Sequence, residues 1–172
     1  MAFQKIKEKI LLRKFQKELK GAPEIRNTST KEIFNVGILT TQTYSEKNQL
    51  SEKLTSTIDT IRNVQVYSFK LYDKYDEKSY KHFTENEFDW RGEIKEPSFE
   101  SFLEKPFDLL IGYFDTKHLY LEYAALKSNA TFKIGFAGVN DKIFDMVISE
   151  KPTNIDRFME VTKQYLKILN KI

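Results

Sequence analysis

The sequence predicts an α/β protein with a Rossmann-like three-layer sandwich, because apolar runs of strand length alternate with segments of helical periodicity. The clearest unit spans residues 107–136. It begins with the apolar run FDLLIGYF, continues through a segment whose Leu119, Tyr123 and Leu126 share one helical face, and ends with FKIGF. Strand, helix and strand within about thirty residues are typical of a βαβ unit with parallel strands.

Two further strands precede this unit. Residues 33–40, IFNVGILT, predict a buried first strand, and the alternating pattern of residues 64–72 predicts a second strand near an edge of the sheet. Apolar residues at helical spacing predict one helix over 44–62 between them. A short helix is expected over 98–104, with Ser98 able to cap its first turn.

The end of the chain predicts a hairpin and a closing helix. The five residues GVNDK at 138–142 are too few for a parallel crossover, so we expect the strand at 143–149 to return antiparallel. A helix should then run to residue 172. Right-handed crossovers give a mostly parallel five-stranded sheet of order 2-1-3-4-5, with the last strand antiparallel.

The N-terminus predicts a basic helix over residues 3–20. Its apolar residues form two groups, with Leu11 between them: Phe3, Ile6 and Ile10 on one face, and Leu12, Phe15 and Leu19 on another. A helix with two apolar faces is sandwiched, kinked or shared with a partner, and the ordinary interpretation is that it docks on its own domain. We expect one group to pack on the domain while the other stays available.

The predicted domain organisation follows from this helix. Residues 1–26 form a basic arm and the start of a polar linker at 22–32, and residues 27–172 form a single Rossmann-like domain. Because the sheet and its crossover helices are complete without the arm, the domain is expected to fold after residues 1–20 are deleted.

The charge of the chain is concentrated in the arm. The net charge is +3, but residues 1–26 contain eight basic and three acidic residues, a net charge of +5, which leaves −2 for the remainder. Basic amphipathic helices bind acidic surfaces. Residues 1–20 are therefore expected to contact an acidic protein, a ribonucleoprotein or an anionic membrane surface through Lys5, Lys9, Arg13, Lys14 and Lys17.

The segment over 73–97 combines aromatic residues with charges. Its acidic residues outnumber its basic ones by eight to five, so it should repel phosphate and not bind nucleic acid. We expect an ordered excursion whose rings cover the sheet, and the alternative is a binding loop.

A small ligand would bind where the winding of the sheet reverses, between the first and third predicted strands. Two loops meet there, and they provide the candidate ligand-binding residues Thr40, Thr41, Gln42, Thr43, Asp115, Lys117 and His118. Asp115, Lys117 and His118 are candidates for an acid/base set. Asp115-Thr116 also has the pattern of an ordinary helix N-cap.

Composition and motifs argue against a cofactor, a metal site and catalysis. The chain has no cysteine and only two histidines, so a zinc site would need carboxylates to complete it. The loop after the first strand contains no glycine, so neither dinucleotide-binding nor Walker-type phosphate loops occur. No apolar run approaches the roughly twenty residues that span a bilayer, and we expect a cytoplasmic protein.

The stretches FDLLIGYF and LEYAALKSNATFKIGF resemble a family of small bacterial α/β proteins that is known only as a domain of unknown function. The resemblance covers most of the chain and implies no assigned activity. Residues 108–111 and 133–136 are also similar to part of the N-terminal half of heptosyltransferase-type glycosyltransferases. Those enzymes have a Gly-Asp turn where this chain has Thr40 to Thr43.

The function that these observations favour is a non-catalytic interaction protein, a Rossmann-like domain whose basic arm docks on an acidic partner. The alternative is a small-ligand or nucleotide-sugar-related binding protein, a glycosyltransferase-like half domain that uses the crevice at the strand ends.

Overall fold

The computed structural model describes residues 2–22, 31–76 and 79–172. Most of the predicted linker, and the predicted boundary between residues 26 and 27, lie outside these ranges. Within them the helices are α1 (Ala2–Gly21), α2 (Gln42–Lys47), α3 (Leu50–Thr57), α4 (Pro97–Glu104), α5 (Leu119–Lys127) and α6 (Ile155–Ile168). The strands are β1 (Asn35–Thr41), β2 (Asn63–Phe69), β3 (His82–Phe83), β4 (Leu109–Tyr113), β5 (Phe132–Phe136) and β6 (Met146–Ile148).

The strands form one sheet in the order β3-β2-β1-β4-β5-β6, and every neighbouring pair is parallel. Leu110, Ile111 and Ile134 are fully buried, and Ile111 lies opposite Ile134 on the adjacent strand. This confirms the predicted α/β class and the βαβ unit at the centre of the sheet. The near-continuous apolar character of β4 and β5 reflects burial on both faces, which is usual for central parallel strands.

The described sheet has six strands, whereas five were predicted. The additional strand is β3, which pairs with β2 through hydrogen bonds from Ser68 N to Lys81 O at 2.9 Å and from Lys70 N to Phe83 O at 3.0 Å. Two residues are too few to produce a recognisable alternation, so the sequence pattern does not reveal this strand. The predicted order of five strands is present as β2-β1-β4-β5-β6, with β3 added beyond β2.

The last strand is parallel to β5, so the predicted antiparallel hairpin is wrong. Strand β6 starts at Met146, and the whole of 137–145 is therefore available for the crossover. This segment crosses one face of the sheet, where the Phe144 ring lies against Gly112 and Gly135. The missing side chains of the two glycines leave room for a crossover without a helix.

The single helix predicted over 44–62 is divided into α2 and α3. Gln49, between them, has a left-handed backbone with φ of 43°. Ile58 and Ile61 are buried as expected, but they follow the end of α3. Helical spacing correctly identified the buried residues here and failed to locate the break.

Helices cover both faces of the sheet. On one face α3 packs against α6, whose Phe158 stacks on Phe136 of β5 with ring centroids 4.4 Å apart. On the other face α5 packs against β1 and β4 and contacts α4. Helix α1 lies over α5, on the side away from the sheet.

Helix α1 docks through Leu11 and Phe15. Leu11 is 1 % exposed, and the Phe15 ring meets Tyr123 of α5 edge-on at 6.3 Å. Ile6 is 57 % exposed and Leu12 is 41 % exposed. The contact is therefore centred on Leu11, which lies between the two predicted apolar groups. Neither group packs as a whole. The side chain of Phe3 lies outside the described structure.

Part of the segment over 73–97 covers the sheet as predicted. Phe83 and Phe88 are fully buried, and Phe83 stacks on Phe99 of α4 at 4.1 Å. Other aromatic side chains of the segment, Tyr75, Tyr80 and Trp90, are exposed. Helix α4 is capped by Glu96, which accepts a hydrogen bond from Phe99 N at 2.7 Å, and not by Ser98 as expected.

Substitution of Gly135 tests the crossover. A Cβ atom at Gly135 would lie 2.6 Å from the Phe144 ring, so Gly135→Ala should lower the free energy of unfolding by about 1–3 kcal/mol. Adding Phe144→Leu should recover part of that loss, so the two changes should not be additive in urea denaturation. Gly21→Ala is the control, because a Cβ there meets nothing within 4 Å. Additive losses would contradict the contact.

Truncation of neighbouring leucines tests the docking of α1. Leu11→Ala should cost about 2–5 kcal/mol of unfolding free energy because Leu11 is buried, whereas Leu12→Ala should cost far less. Both substitutions change the same residue type in one helix, so their difference in chemical denaturation reports the packing of α1. Equal small losses would mean that α1 does not belong to the core.

Candidate functional site

The crevice predicted at the carboxyl ends of the strands lies between β1 and β4, which are neighbours in the sheet. The chain leaves β1 toward α3 on one face and leaves β4 toward α5 on the other. The winding therefore reverses at this point, as expected. The two predicted loops lie close together here, because Tyr44, the residue after the first loop, donates from its hydroxyl to Asp115 Oδ1 of the second loop at 3.4 Å.

The first two threonines of the crevice have structural contacts. Thr40 is fully buried and donates from Oγ1 to Tyr113 O at 2.8 Å. Thr41 is the N-cap of α2, where its Oγ1 accepts a hydrogen bond from Tyr44 N at 3.4 Å. These hydroxyls hold β1 to β4 and start α2, so neither is directed at a ligand.

The remaining polar residues of the crevice lie farther out. Gln42 donates from Nε2 to Glu46 Oε1 at 2.8 Å along α2. Thr43 and Lys117 are exposed. They are the predicted crevice residues with the greatest access to solvent.

Tyr44 spans the crevice, and the sequence reasoning did not identify it. Its ring meets Tyr113 edge-on at 5.9 Å and its hydroxyl donates to Asp115. Burial and then the Asp115 charge raise the pKa of Tyr44 above its usual value. The aromatic ring directly after the polar turn TTQT was the available signal. A side chain of the protein itself thus lies where a ligand was expected.

His118 is the N-cap of α5, so the prediction that Asp115-Thr116 starts this helix is wrong. His118 Nδ1 accepts from Leu121 N at 3.3 Å, and His118 N donates to Glu122 Oε1 at 2.7 Å. The His118 ring also contacts Phe69 of β2 with centroids 4.4 Å apart. Burial against that ring places the imidazole at the start of the helix and delays α5 until Leu119.

The protonation of the α5 cap follows from this geometry. An imidazole nitrogen that accepts a backbone N–H must be unprotonated. Burial lowers the pKa of His118, which favours the neutral form, and burial raises the pKa of Glu122. His118 acts on its own helix, Asp115 meets Tyr44, and Lys117 faces solvent. The three residues predicted as an acid/base set therefore have different hydrogen-bond partners, although Lys117 and His118 both act on Glu122.

The outward face of α1, defined as Lys5, Lys9, Arg13, Lys17 and Lys20, is basic. All five side chains are exposed, and none forms an ion pair with any residue in the described ranges. The first four recur at every fourth position, which places them along one side of a helix. The structure thus brings together four of the five predicted arm residues and adds Lys20.

Lys14, the fifth predicted arm residue, lies on the docked side of α1 and pairs with Glu93. Lys7 is also turned inward and donates to Glu85 O at 2.7 Å. The acidic residues of α1 are engaged by α5: Glu8 accepts from Tyr120 at 3.4 Å, and Glu18 accepts from Tyr123 at 3.2 Å. Both acidic side chains of α1 are therefore bonded to α5, although Glu8 is itself exposed.

A family model described as a family of unknown function, DUF6913, matches residues 7–169. The chain belongs to this family. The predicted resemblance to an uncharacterised domain family is thereby confirmed, and the matched range includes α1 from Lys7 onward. No curated protein and no solved structure matches the chain. The similarity to heptosyltransferase-type glycosyltransferases stays a prediction.

Two further observations concern the described residues alone. None of their helices combines the length and the apolar composition needed to cross a membrane. In the same ranges, histidine and carboxylate side chains form no group of three or more placed to hold a metal ion.

The His118 cap predicts a pH-dependent stability. Its pKa is lower in the folded protein than the usual 6.5, so the unfolded chain binds the proton more readily. The contribution of the His118 cap to the free energy of unfolding is fully present above pH 6.5. It declines as the pH falls below that value toward the pKa of His118 in the folded protein. The expected loss reaches at most about 1.4 kcal/mol per pH unit in that window.

His118→Asn isolates this effect, because asparagine caps helices well and does not titrate. The free energy of unfolding of the wild type, minus that of the variant, should decrease as pH is lowered through 6.5 in urea titrations. Glu122 is retained in both proteins, so its own titration largely cancels in the difference. A difference independent of pH would rule out the neutral imidazole cap.

Proposed function

We propose that the protein is a non-catalytic interaction protein whose outward face of α1 binds an acidic protein. The observation that carries this proposal is the separation of charge on α1. Its two acidic residues are bonded to the tyrosines of α5, while five exposed basic residues face outward without a described ion partner. A surface of one charge sign steers and orients a partner of the opposite sign.

The dimensions of this face suit a helix or an extended segment of a partner. Lys5 and Lys17 are twelve residues apart, which corresponds to about 18 Å along the helix axis. Ile6 and Leu12 are exposed on the same helix and add apolar area beside the charges. A row of cations with adjacent apolar side chains fits an acidic protein surface that also has apolar residues.

An anionic membrane is a poorer fit as the partner. A helix that lies on a membrane inserts a broad apolar face below the headgroups. The apolar residues Leu11 and Phe15 of α1 are already buried against its own domain. Among the described side chains of α1, the exposed large apolar ones are Ile6 and Leu12, and they provide too small an apolar surface for that binding mode.

Nucleic acid is also a poorer fit. A duplex presents about one phosphate charge per 1.7 Å of its axis, counting both strands. A protein that binds a duplex would therefore need cations beyond the single row on α1. Glu85, Asp89 and Glu93 border the docked side of α1, near Lys7 and Lys14. Their negative charge disfavours phosphates on that flank.

The crevice between β1 and β4 remains the alternative location for a small or nucleotide-sugar-related ligand. Fewer observations favour it, because Thr40, Thr41, Asp115 and His118 have contacts within the protein and Tyr44 lies across the crevice. A thermal-shift screen with nucleotide sugars tests it, since a ligand at a hundred times its dissociation constant adds about 2.7 kcal/mol of stability.

Charge reversal on the outward face tests the proposed function. The probes are poly-L-glutamate, duplex RNA, and vesicles of phosphatidylcholine with phosphatidylglycerol. Poly-L-glutamate should bind the wild type most tightly, with an affinity that falls as salt rises. Lys9→Glu with Arg13→Glu should weaken that binding by about tenfold or more without changing the thermal stability, because both side chains are exposed.

The matched control is Lys47→Glu with Lys151→Glu, which makes the same change in net charge at exposed sites outside α1. If the control pair weakened the binding of poly-L-glutamate equally, the effect would be due to net charge alone. The proposal that the outward face of α1 is the specific binding surface would then be refuted. Tighter binding of RNA or of vesicles than of poly-L-glutamate would assign a different class of partner.

A further inference from the structure

Strand β2 is paired along its whole length on one side and along only two residues on the other. On the inner side, Asn63 to Phe69 are all in register with β1. On the outer side, Ser68 and Phe69 pair with β3. Among the strands that the structure describes, none lies beside the outer side of residues 63–67, which we call the open edge of β2.

The backbone groups that point out of the open edge belong to Val64 and Val66. Asn63 N donates to Phe34 O on the β1 side at 3.1 Å, and Ser68 N donates to Lys81 O on the outer side at 2.9 Å. Because successive backbone N–H and C=O groups of a strand point to alternate sides, those of Val64 and Val66 point outward like those of Ser68. Within the described ranges, no backbone group is hydrogen-bonded to them there.

The chain on either side of the undescribed residues 77–78 lies toward the other end of the strand. Asp76 and Ser79 line a cavity together with Lys70, which directly follows the carboxyl end of β2. Asp76 is also paired with Lys70 at 2.7 Å. Asn63 and Val64, in contrast, lie at the amino end of β2.

The open edge lacks the features that usually prevent pairing with another chain. Edge strands are commonly protected by charged residues, by proline or by a bulge. The sequence of β2, NVQVYSF, contains neither a charged residue nor a proline. Its register with β1 is continuous from Asn63 to Phe69, so β2 contains no bulge. An additional strand can therefore pair with it.

Both faces of the sheet are concave beside the open edge. On one face, Val64 and Val66 line a concavity of about 590 Å³ together with residues of α2 and α3. On the other face, Gln65 and Tyr67 line one of about 610 Å³ together with residues of α4. An added strand would place successive side chains on alternate faces, and thus in the two concavities in turn. Peptides that bind by strand addition gain affinity from main-chain hydrogen bonds and specificity from such alternate pockets.

The amino end of the open edge is basic. Arg62 and Lys105 line a third concavity there, whose described lining residues include no carboxylate. The Arg62 guanidinium lies 4.8 Å from the centroid of the Phe34 ring, and Lys105 donates from Nζ to Gln65 Oε1 at 3.3 Å. These contacts position both cations without neutralising them, because neither forms an ion pair within the described ranges. A carboxylate at this end would be attracted.

We propose that the open edge of β2 binds an extended peptide segment of a partner protein by strand addition, with an acidic residue of the segment beside Arg62 and Lys105. The segment pairs with the outward backbone groups of Val64 and Val66. Glu52 and Glu104 line the two larger concavities, so negative charge is favoured at the amino end and not along the whole segment.

A second copy of the chain is a poorer fit for the open edge. Its own β2 has no acidic residue to place beside Arg62 and Lys105. The open edge is also separate from the outward face of α1, so the two surfaces can be tested independently.

Titration of the full chain with the peptide acetyl-Glu-Thr-Val-Thr-Val-Thr-Glu-amide, followed by NMR, tests the strand addition. A glutamate at each end places a carboxylate beside Arg62 and Lys105 for either direction of the added strand. The peptide should bind saturably and slow the hydrogen exchange of the outward Val64 and Val66 amides. The Asn63 amide, which is already bonded to Phe34 O, should change far less.

Two altered peptides separate the main-chain bonds from the charge. N-methylation of the five internal residues removes their N–H donors and should weaken binding by about tenfold or more. Lysine in place of both glutamates should weaken binding by about three- to tenfold, because the cations of the protein are exposed and partly screened.

Variants of the protein locate the binding. Arg62→Glu with Lys105→Glu should weaken the glutamate peptide by about tenfold and should not weaken the lysine peptide. The control Lys151→Glu with Lys167→Glu makes the same change in net charge at exposed positions that line none of the three concavities, and should leave binding unchanged. Val64→Pro removes an outward N–H where an edge strand tolerates proline, and should weaken binding by about threefold or more.

Undiminished binding of the N-methylated peptide, equal losses in the control pair, or the absence of saturable binding would each overturn the proposal. Sedimentation of the free chain provides the remaining test. Dimerisation that Val64→Pro abolishes would assign the open edge to a second copy of the chain and exclude a peptide as its occupant.

Discussion

The burial of α5 on every side is the constraint on which the rest of this structure depends. Tyr120 to Ala125 are all buried, although α5 runs only from Leu119 to Lys127. A helix that is buried all round needs cover on the side opposite the sheet. Helix α1 provides that cover through Leu11 and Phe15, which both belong to the core cluster. We therefore expect its removal to destabilise the domain.

This packing also determines the charge of the surface. Buried tyrosine hydroxyls need hydrogen-bond partners. Tyr120 and Tyr123 of α5 find theirs in Glu8 and Glu18 of α1, and Lys127 adds an ion pair to Glu18 at 3.6 Å. The acidic residues of α1 are thus bonded to α5 on the side of the helix where Leu11 docks, although Glu8 stays exposed. The basic outward face therefore results from the hydrogen bonds that the tyrosine hydroxyls of α5 form with the acidic residues of α1.

Local patterns were sufficient for the central sheet and insufficient where distant contacts decide the structure. The apolar runs of β4 and β5 report burial on both faces, which any parallel central strand requires. The parallel course of β6 depends instead on Phe144 fitting over glycines in two other strands. The start of α5 depends on His118 packing against Phe69, which lies 49 residues earlier in the chain. Neither contact leaves a periodic signal in its own segment.

In the candidate site as well, local patterns predicted some features, while contacts with distant residues determine the others. Composition predicted that the N-terminal helix is basic, and four of its five predicted partner-binding residues lie together on the outward face, whereas Lys14 does not. The helix could not reveal which of its faces is docked, because Leu11 lies between two apolar groups of similar size. That choice is made by the rings of α5, which accept Phe15 edge-on and so direct Lys14 toward Glu93. Once Leu11 and Phe15 face inward, helical geometry requires Lys9 and Arg13 to face outward. The orientation of the outward face of α1 is therefore set by packing against α5, which the sequence of α1 alone does not reveal.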